Sequence, residues 1–160
     1  MVDKLTPERR SANMRRIKST GMRPEMVVRK LTHGLGYRYR LHRRDLPGKP
    51  DLVFSSRRKV IFVHGCFWHQ HEDHSCKDSR MPKSRLDYWI PKFARNKKRD
   101  CEVQMTLKSL DWDSLVIWEC ETSDSKNVIR KLKRFLGRTG VDRAESYRKK
   151  RLVKYSKRQE

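Results

Sequence analysis

The run from Pro50 to Cys76, PDLVFSSRRKVIFVHGCFWHQHEDHSC, limits most tightly what this chain can fold into. Val60-Ile61-Phe62-Val63 is a β-branched and aromatic block without a polar position, the pattern of a strand buried on both faces. Asp51-Leu52-Val53-Phe54 is a second short apolar run, opened by a carboxylate, and the polar residues Ser55 to Lys59 between the two form a turn. The pair predicts a hairpin. Histidine and cysteine then crowd the segment after the second strand: His64, Cys66, His69, His71, His74 and Cys76, with Phe67-Trp68 among them. A carboxylate at the margin of one strand, with imidazoles and thiols at the end of the next, predicts a chemical site there.

The flanking patterns place that hairpin in a larger fold. Thr6, Pro7 and Glu8 read as the start of a basic helix or arm over residues 1–20, with only Met14 and Ile17 as large apolar residues. Pro24 to Leu35 reads as a helix, with Val27, Val28, Leu31 and Leu35 at helical spacing and Gly34 and Gly36 at its end. Glu25 lies in its first turn, where a carboxylate also favours the helix dipole. Tyr37 to Leu41 alternates like a half-exposed strand, and the stretch from Arg43 to Gly48 is a loop with a turn signal. Ser84 to Leu110 is the longest helical pattern, and Pro91 predicts a break or kink in it. Leu115 to Trp118 reads as a further buried strand, and Ser125 to Leu136 as a closing helix stopped by Gly137. This order predicts an α/β fold around a small mixed sheet flanked by helices. It divides into a basic segment at 1–20, a domain at 21–137 and a basic tail at 138–160.

Charge identifies the class of partner. The 160 residues carry 41 Lys and Arg against 19 Asp and Glu, a net charge of +22, and such an excess favours a polyanion through counterion release. Nucleic acid is the expected partner. No stretch approaches the roughly 20 apolar residues of a membrane span. The N-terminal MVDKLTPERR lacks an apolar secretory core, so a cytoplasmic location and reduced thiols are expected.

Two constellations carry chemistry. Cys66, His71 and Cys76 share one loop, and Cys120 ends the strand at Leu115 to Trp118. If that strand lies beside Val60–Val63, four N/S ligands converge, the donor set of a structural zinc. His69 or His74 could stand in for His71, and Cys101, inside the long helix, is the expected bystander. The second constellation is a Pro-Asp opening a strand, the arrangement by which restriction-type nucleases hold Mg²⁺. The usual acid-x-lysine of the following strand is replaced here by Phe62-Val63-His64. Mg²⁺ takes oxygen ligands, which Asp51 and a main-chain carbonyl supply, while neutral imidazoles at His64 and His69 move protons. Phe67, Trp68 and Trp89 read either as core anchors or as wedges between base pairs.

Taken together, Val63-His64-Gly65-Cys66-Phe67-Trp68-His69-Gln70-His71, Pro47-Gly48-Lys49-Pro50-Asp51 and Trp118-Glu119-Cys120 resemble the very short patch repair (Vsr) endonucleases. Ser11 to Arg15 and Arg95 to Asp100 resemble them too, and the likeness spans about residues 9–136. The resemblance implies a restriction-endonuclease-like core that nicks one DNA strand 5′ of the thymine in T·G mismatches arising from 5-methylcytosine deamination. It implies Mg²⁺ held by Asp51 and the Val63 carbonyl, with His69 acting on the attacking water and His64 near the scissile phosphate. Glu25 matches a supporting acid and Asp100 a more distant one. Structural Zn²⁺ falls to Cys66, His71, Cys76 and Cys120, with His74 competing with Cys76. Phe67, Trp68 and Trp89 match wedges entering from the major groove, Met14 one from the opposite groove, and Lys92 and Asn96 residues contacting the wobble pair. Double-stranded DNA with a T·G mismatch, other mismatch-repair proteins, a monomeric state and no membrane association complete what it implies. The competing readings are a site-specific double-strand endonuclease of the same fold and a non-catalytic, zinc-stabilised DNA-binding module.

Overall fold

A computed structural model describes residues 21–139 together with Thr6 and Arg9. The expected N-terminal helix or arm, including Met14, and the basic tail beyond residue 139 lie outside the described residues.

Helix α1 spans Arg23–Gly34, with proline in its first turn, where the missing N–H has no intrahelical partner to lose, and Glu25 beside it. Strand β1 is only Arg40–Leu41, both exposed, rather than the whole alternating run from Tyr37. Tyr37 itself is buried, and Tyr37 and Tyr39 pack edge-on against Phe54, so these rings serve the core and not a ladder. Strands β2 (Leu52–Phe54) and β3 (Lys59–His64) form the expected hairpin, joined by a 3₁₀ turn that closes on left-handed Arg58.

The segment after β3, expected as a loop, forms a one-turn helix α2 at Cys66–His69. Helix α3 follows at Leu86–Ser109 and runs through Pro91, so of the expected break or kink there is no break. Pro91 is the sixth residue of the helix, so its ring removes a bond to the carbonyl of Asp87, an exposed first-turn residue whose carbonyl can turn to solvent. Strand β4 (Asp113–Trp118) and helix α4 (Ser125–Leu136) complete the fold, the latter capped by the Asp124 carboxylate on the Asn127 N–H.

The sheet order is β1-β2-β3-β4, antiparallel through β3 and parallel between β3 and β4, with α3 as the crossover. It is a small mixed sheet with helices on both faces. Leu52, Phe54, Ile61 and Ile117 point to one side and pack with Val28 of α1 and Val128, Leu132 and Leu136 of α4. Val53, Val60 and Phe62 point to the other and pack with Leu46 and with Leu107 of α3. The two-residue alternation of strands thus builds two cores on one hairpin. Among the described residues, no helix is long and apolar enough to cross a membrane.

Candidate nuclease centre and thiol cluster

Parallel pairing makes β3 and β4 end together, with His64 opposite Trp118. Everything the chain places after those two residues therefore emerges at one end of the sheet. His64 lies on the α3 face by alternation with Phe62 and Val60. Asp51, one step before β2, lines the same space, a cavity of about 830 Å³ shared with Val63, His69 and, from α3, Arg99, Asp100 and Val103. The aspartate and the two imidazoles expected to act together do share one cavity.

The Asp51 carboxylate accepts a hydrogen bond from the Val63 N–H at 2.7 Å, which fixes it against the end of β3. Burial raises its pKa, only partly offset by that bond. A half-buried carboxylate whose burial outweighs the charges and bond that favour its ionised form suits a cation, and the neighbouring main-chain carbonyl of Val63 adds a second hard oxygen. These two groups fit Mg²⁺.

His64 and His69 stack face to face, with ring centroids 3.8 Å apart. Burial, then the adjacent His69, pulls His64 down to about 4, so it is neutral near pH 7. His69 Nδ1 lies 2.5 Å from Asp100 Oδ2. Burial opposes ionisation of Asp100, but the His69 bond outweighs it and holds the carboxylate below its usual range. The resemblance put Asp100 at a distance from the centre; the structure puts it directly on His69. The signal for it was present in the helical pattern. Phe93, Asn96, Asp100, Val103 and Leu107 form one stripe of α3 at three- and four-residue spacing, and a carboxylate on a stripe that faces the core needs a partner.

Glu25 is buried at 4% exposure and is ion-paired to Arg29 one turn along α1. It also accepts the Gly21 N–H at 2.5 Å. Arg29 lies 2.7 Å from His42 Nε2. The Glu25, His42 and Asp51 ligand atoms lie within 4.8 Å of one another, yet a guanidinium in contact with two of the three makes that group a poor cation cage. His42 carried no sequence signal, standing alone after a two-residue strand.

The Cys66, His71, Cys76 and Cys120 ligand atoms all fall within 4.8 Å of one another. Cys66 Sγ and Cys120 Sγ lie 3.9 and 3.4 Å from His71 Nδ1. A tetrahedral zinc with ordinary Zn–S and Zn–N lengths requires edges of roughly 3.5–3.8 Å, so the set fits. Burial pushes the Cys66 and Cys120 thiols up. At Cys76 burial acts the same way, but the His71 bond and the neighbouring thiols prevail and bring it down to about 7. His71 is oriented by stacking on Trp118, centroids 4.2 Å apart, and by its N–H bond to the Cys66 carbonyl. His74 is exposed and outside this group, as is Cys101 on α3.

Beside the cavity, Phe67, Trp68, Trp89 and Phe93 form an aromatic cluster, Phe67 meeting the other three edge-on at 5.0–5.3 Å. Phe93 is buried, while Phe67, Trp68 and Trp89 keep part of their surface in solvent. Lys92 lies over the rings of Trp68, Trp89 and Tyr88. Asn96 donates to the Trp68 carbonyl at 2.9 Å. Ile90, 53% exposed, and the exposed Leu86 and Tyr88 extend this apolar surface along the start of α3.

Known proteins resemble the chain over most of its length. The family model described as DNA mismatch endonuclease Vsr matches residues 2–77. The chain is 50% identical over 136 residues to the type II nicking enzyme V.XorIIP of Xanthomonas oryzae pv. oryzae, covering 85% of this chain and 98% of that one. It is 37% identical over 136 residues to the type II nicking enzyme V.NmeAIP of Neisseria meningitidis serogroup A, covering 85% and 95%. Against the DNA mismatch endonuclease Vsr of Escherichia coli K12 the identity is 39% over 111 residues, 69% of each chain.

Proposed function

The chain belongs to the Vsr family and is an endodeoxyribonuclease, and from that premise we propose that it nicks one strand of duplex DNA 5′ of the thymine in a T·G mismatch. Such pairs arise when 5-methylcytosine deaminates. The observation that carries the reading is the cavity that the Asp51 carboxylate shares with two stacked histidines, one of them, His69, oriented by Asp100. Support for the mismatch comes from the half-exposed aromatic cluster beside it.

Asp51 and the Val63 carbonyl would hold Mg²⁺. Bound there, the ion would supply positive charge that stabilises the reacting phosphate. Asp100, ionised, accepts from His69 Nδ1–H and leaves Nε2 as the nitrogen able to take a proton from the attacking water. The water oxygen bonds to phosphorus as the P–O3′ bond breaks. His64, kept neutral by burial and stacked on His69, donates near the scissile phosphate. Glu25 supports the centre through Arg29 rather than as a ligand.

Zn²⁺ held by Cys66, His71, Cys76 and Cys120 would brace the loop that carries His64, His69 and the wedge residues. Phe67, Trp68 and Trp89 would enter the stack at the mismatch from the major groove, and Met14 from the other side. Asn96 already anchors the Trp68 main chain, so it would meet the wobble pair from a fixed position, with Lys92 beside it. The excess of 22 positive charges supplies non-specific affinity for phosphate. A restriction-endonuclease-like core, monomeric action in the cytoplasm and hand-over to other mismatch-repair proteins fit this activity.

A closed circular plasmid with one T·G pair tests the reading. Nicked circles should form only with the mismatch and only with Mg²⁺, the break lying 5′ of the thymine. Linear product would replace it with a site-specific double-strand endonuclease, and equal nicking of the matched plasmid would remove the mismatch from the reading.

A further inference from the structure

The cavity contains a histidine that neither the metal site nor the proton transfers described above use. His42 lines the same wall as Asp51, and one of its ring nitrogens lies within 4.8 Å of the Asp51 carboxylate. Its backbone takes the left-handed conformation, φ 45°, uncommon for a residue with a side chain and concentrated at functional sites.

The ring's protonation follows from its neighbour. Arg29 Nη2 lies 2.7 Å from His42 Nε2, and a guanidinium has donors only. Glu25 Oε1 lies 3.3 Å from the same nitrogen without a hydrogen bond to it, so with Arg29 as its bonded neighbour Nε2 accepts, which puts the proton of the neutral ring on Nδ1. Arg29 is itself held by Glu25, which is buried and further tied to the Gly21 N–H. The order Glu25, Arg29, His42 is a relay of charge-assisted bonds, and it repeats the logic by which Asp100 orients His69 in the same cavity. Among the described residues, Nδ1–H has no partner. His42 lines the cavity together with Arg44, Lys49 and Arg99, so a donor there with no protein acceptor suits a phosphate oxygen.

We propose that His42 is a catalytic residue of the nicking reaction: its Nδ1–H donates to a non-bridging oxygen of the scissile phosphate, and Glu25 acts by fixing Arg29, which fixes this tautomer. His42 transfers no proton. Its bond strengthens as negative charge builds on the phosphoryl oxygens, so it acts on the transition state more than on binding. Arg44, Lys49 and Arg99 around the same cavity supply the general attraction for DNA, which leaves His42 the directional part.

This inference rests on the nuclease reading, and the test separates the two. Full-length wild type, His42→Leu and His42→Gln are compared for kcat and KM on any duplex the wild type nicks, the T·G duplex first, with melting temperature measured alongside. Leucine keeps the bulk and removes both hydrogen bonds. Glutamine can still accept from Arg29 and donate to phosphate. The expected result is a loss of roughly 10²-fold in kcat for leucine, KM within about threefold, and recovery of most of that loss by glutamine. Leucine with wild-type kcat, or with its defect confined to KM, would overturn the proposal. If leucine also lowers the melting temperature, glutamine decides: a folded but equally inactive glutamine variant overturns it as well. Failure of the wild type on T·G with nicking of another duplex would count against the mismatch reading alone.

Discussion

The thiol cluster and the histidine–carboxylate cavity open from the same end of β3, yet they are built in opposite ways. In the cluster every donor atom points inward to one place. Four soft or borderline ligands from two loops come within 4.8 Å, leaving nothing for a fifth partner, as suits a brace. In the cavity each side chain uses one polar atom on the protein and keeps the other free. Asp51 takes the Val63 N–H, His69 takes Asp100, and His42 takes Arg29. A brace gains by satisfying all its donors. A reactive site gains by orienting a group through one atom so that the other meets substrate.

Substitutions can break or sharpen this contrast. Asp51→Ala should lower nicking by about 10³-fold or more with the melting temperature nearly unchanged, because the carboxylate serves chemistry rather than packing. Measurable activity within tenfold of wild type would place the cation elsewhere. Cys120→Ser should do the reverse. It should release bound zinc and lower the melting temperature by about 10 °C, a shift expected from a loss of several kcal/mol in a domain of this size. Unchanged zinc content and stability would remove the cluster from the fold's support.

A smaller effect is expected at Asp100→Asn, about 10- to 30-fold in kcat. The amide still contacts His69 but no longer fixes its Nδ1–H tautomer. A KM defect alone would assign Asp100 to binding. Smallest is Trp68→Ala, expected to weaken binding to T·G duplex by about tenfold more than to matched duplex, a difference of about 1.4 kcal/mol. Equal losses on both duplexes would make the indole a packing residue, like buried Phe93.

Much of this was legible along the chain. The hairpin, α1 and α4 follow from local periodicity, and α4 matches its expected limits, Ser125–Leu136. The zinc-type ligand set followed from spacing plus one assumption, that β4 lies beside β3, and the parallel register makes that assumption correct. Pro91 does not break the helix because proline's local cost is fixed, whereas its consequence depends on how near a helix start it falls and on what surrounds it. The tyrosines of the Tyr37 to Leu41 run misled because alternation records which residues are buried, not whether a neighbouring strand is there to pair.

The sequence by itself determined the ingredients: which runs are strands and helices, which residue types can hold metals, and that a polyanion is the partner. Those properties are set by residue chemistry and by periods of two and 3.6, and both are local. Only the tertiary structure decided that Asp100 reaches His69, 31 positions away, and that Arg29 on α1 meets His42. Hydrogen bonds act over about 3 Å, and which groups come that close is fixed by packing helices onto the two faces of one sheet, a relation that sequence neighbours do not encode.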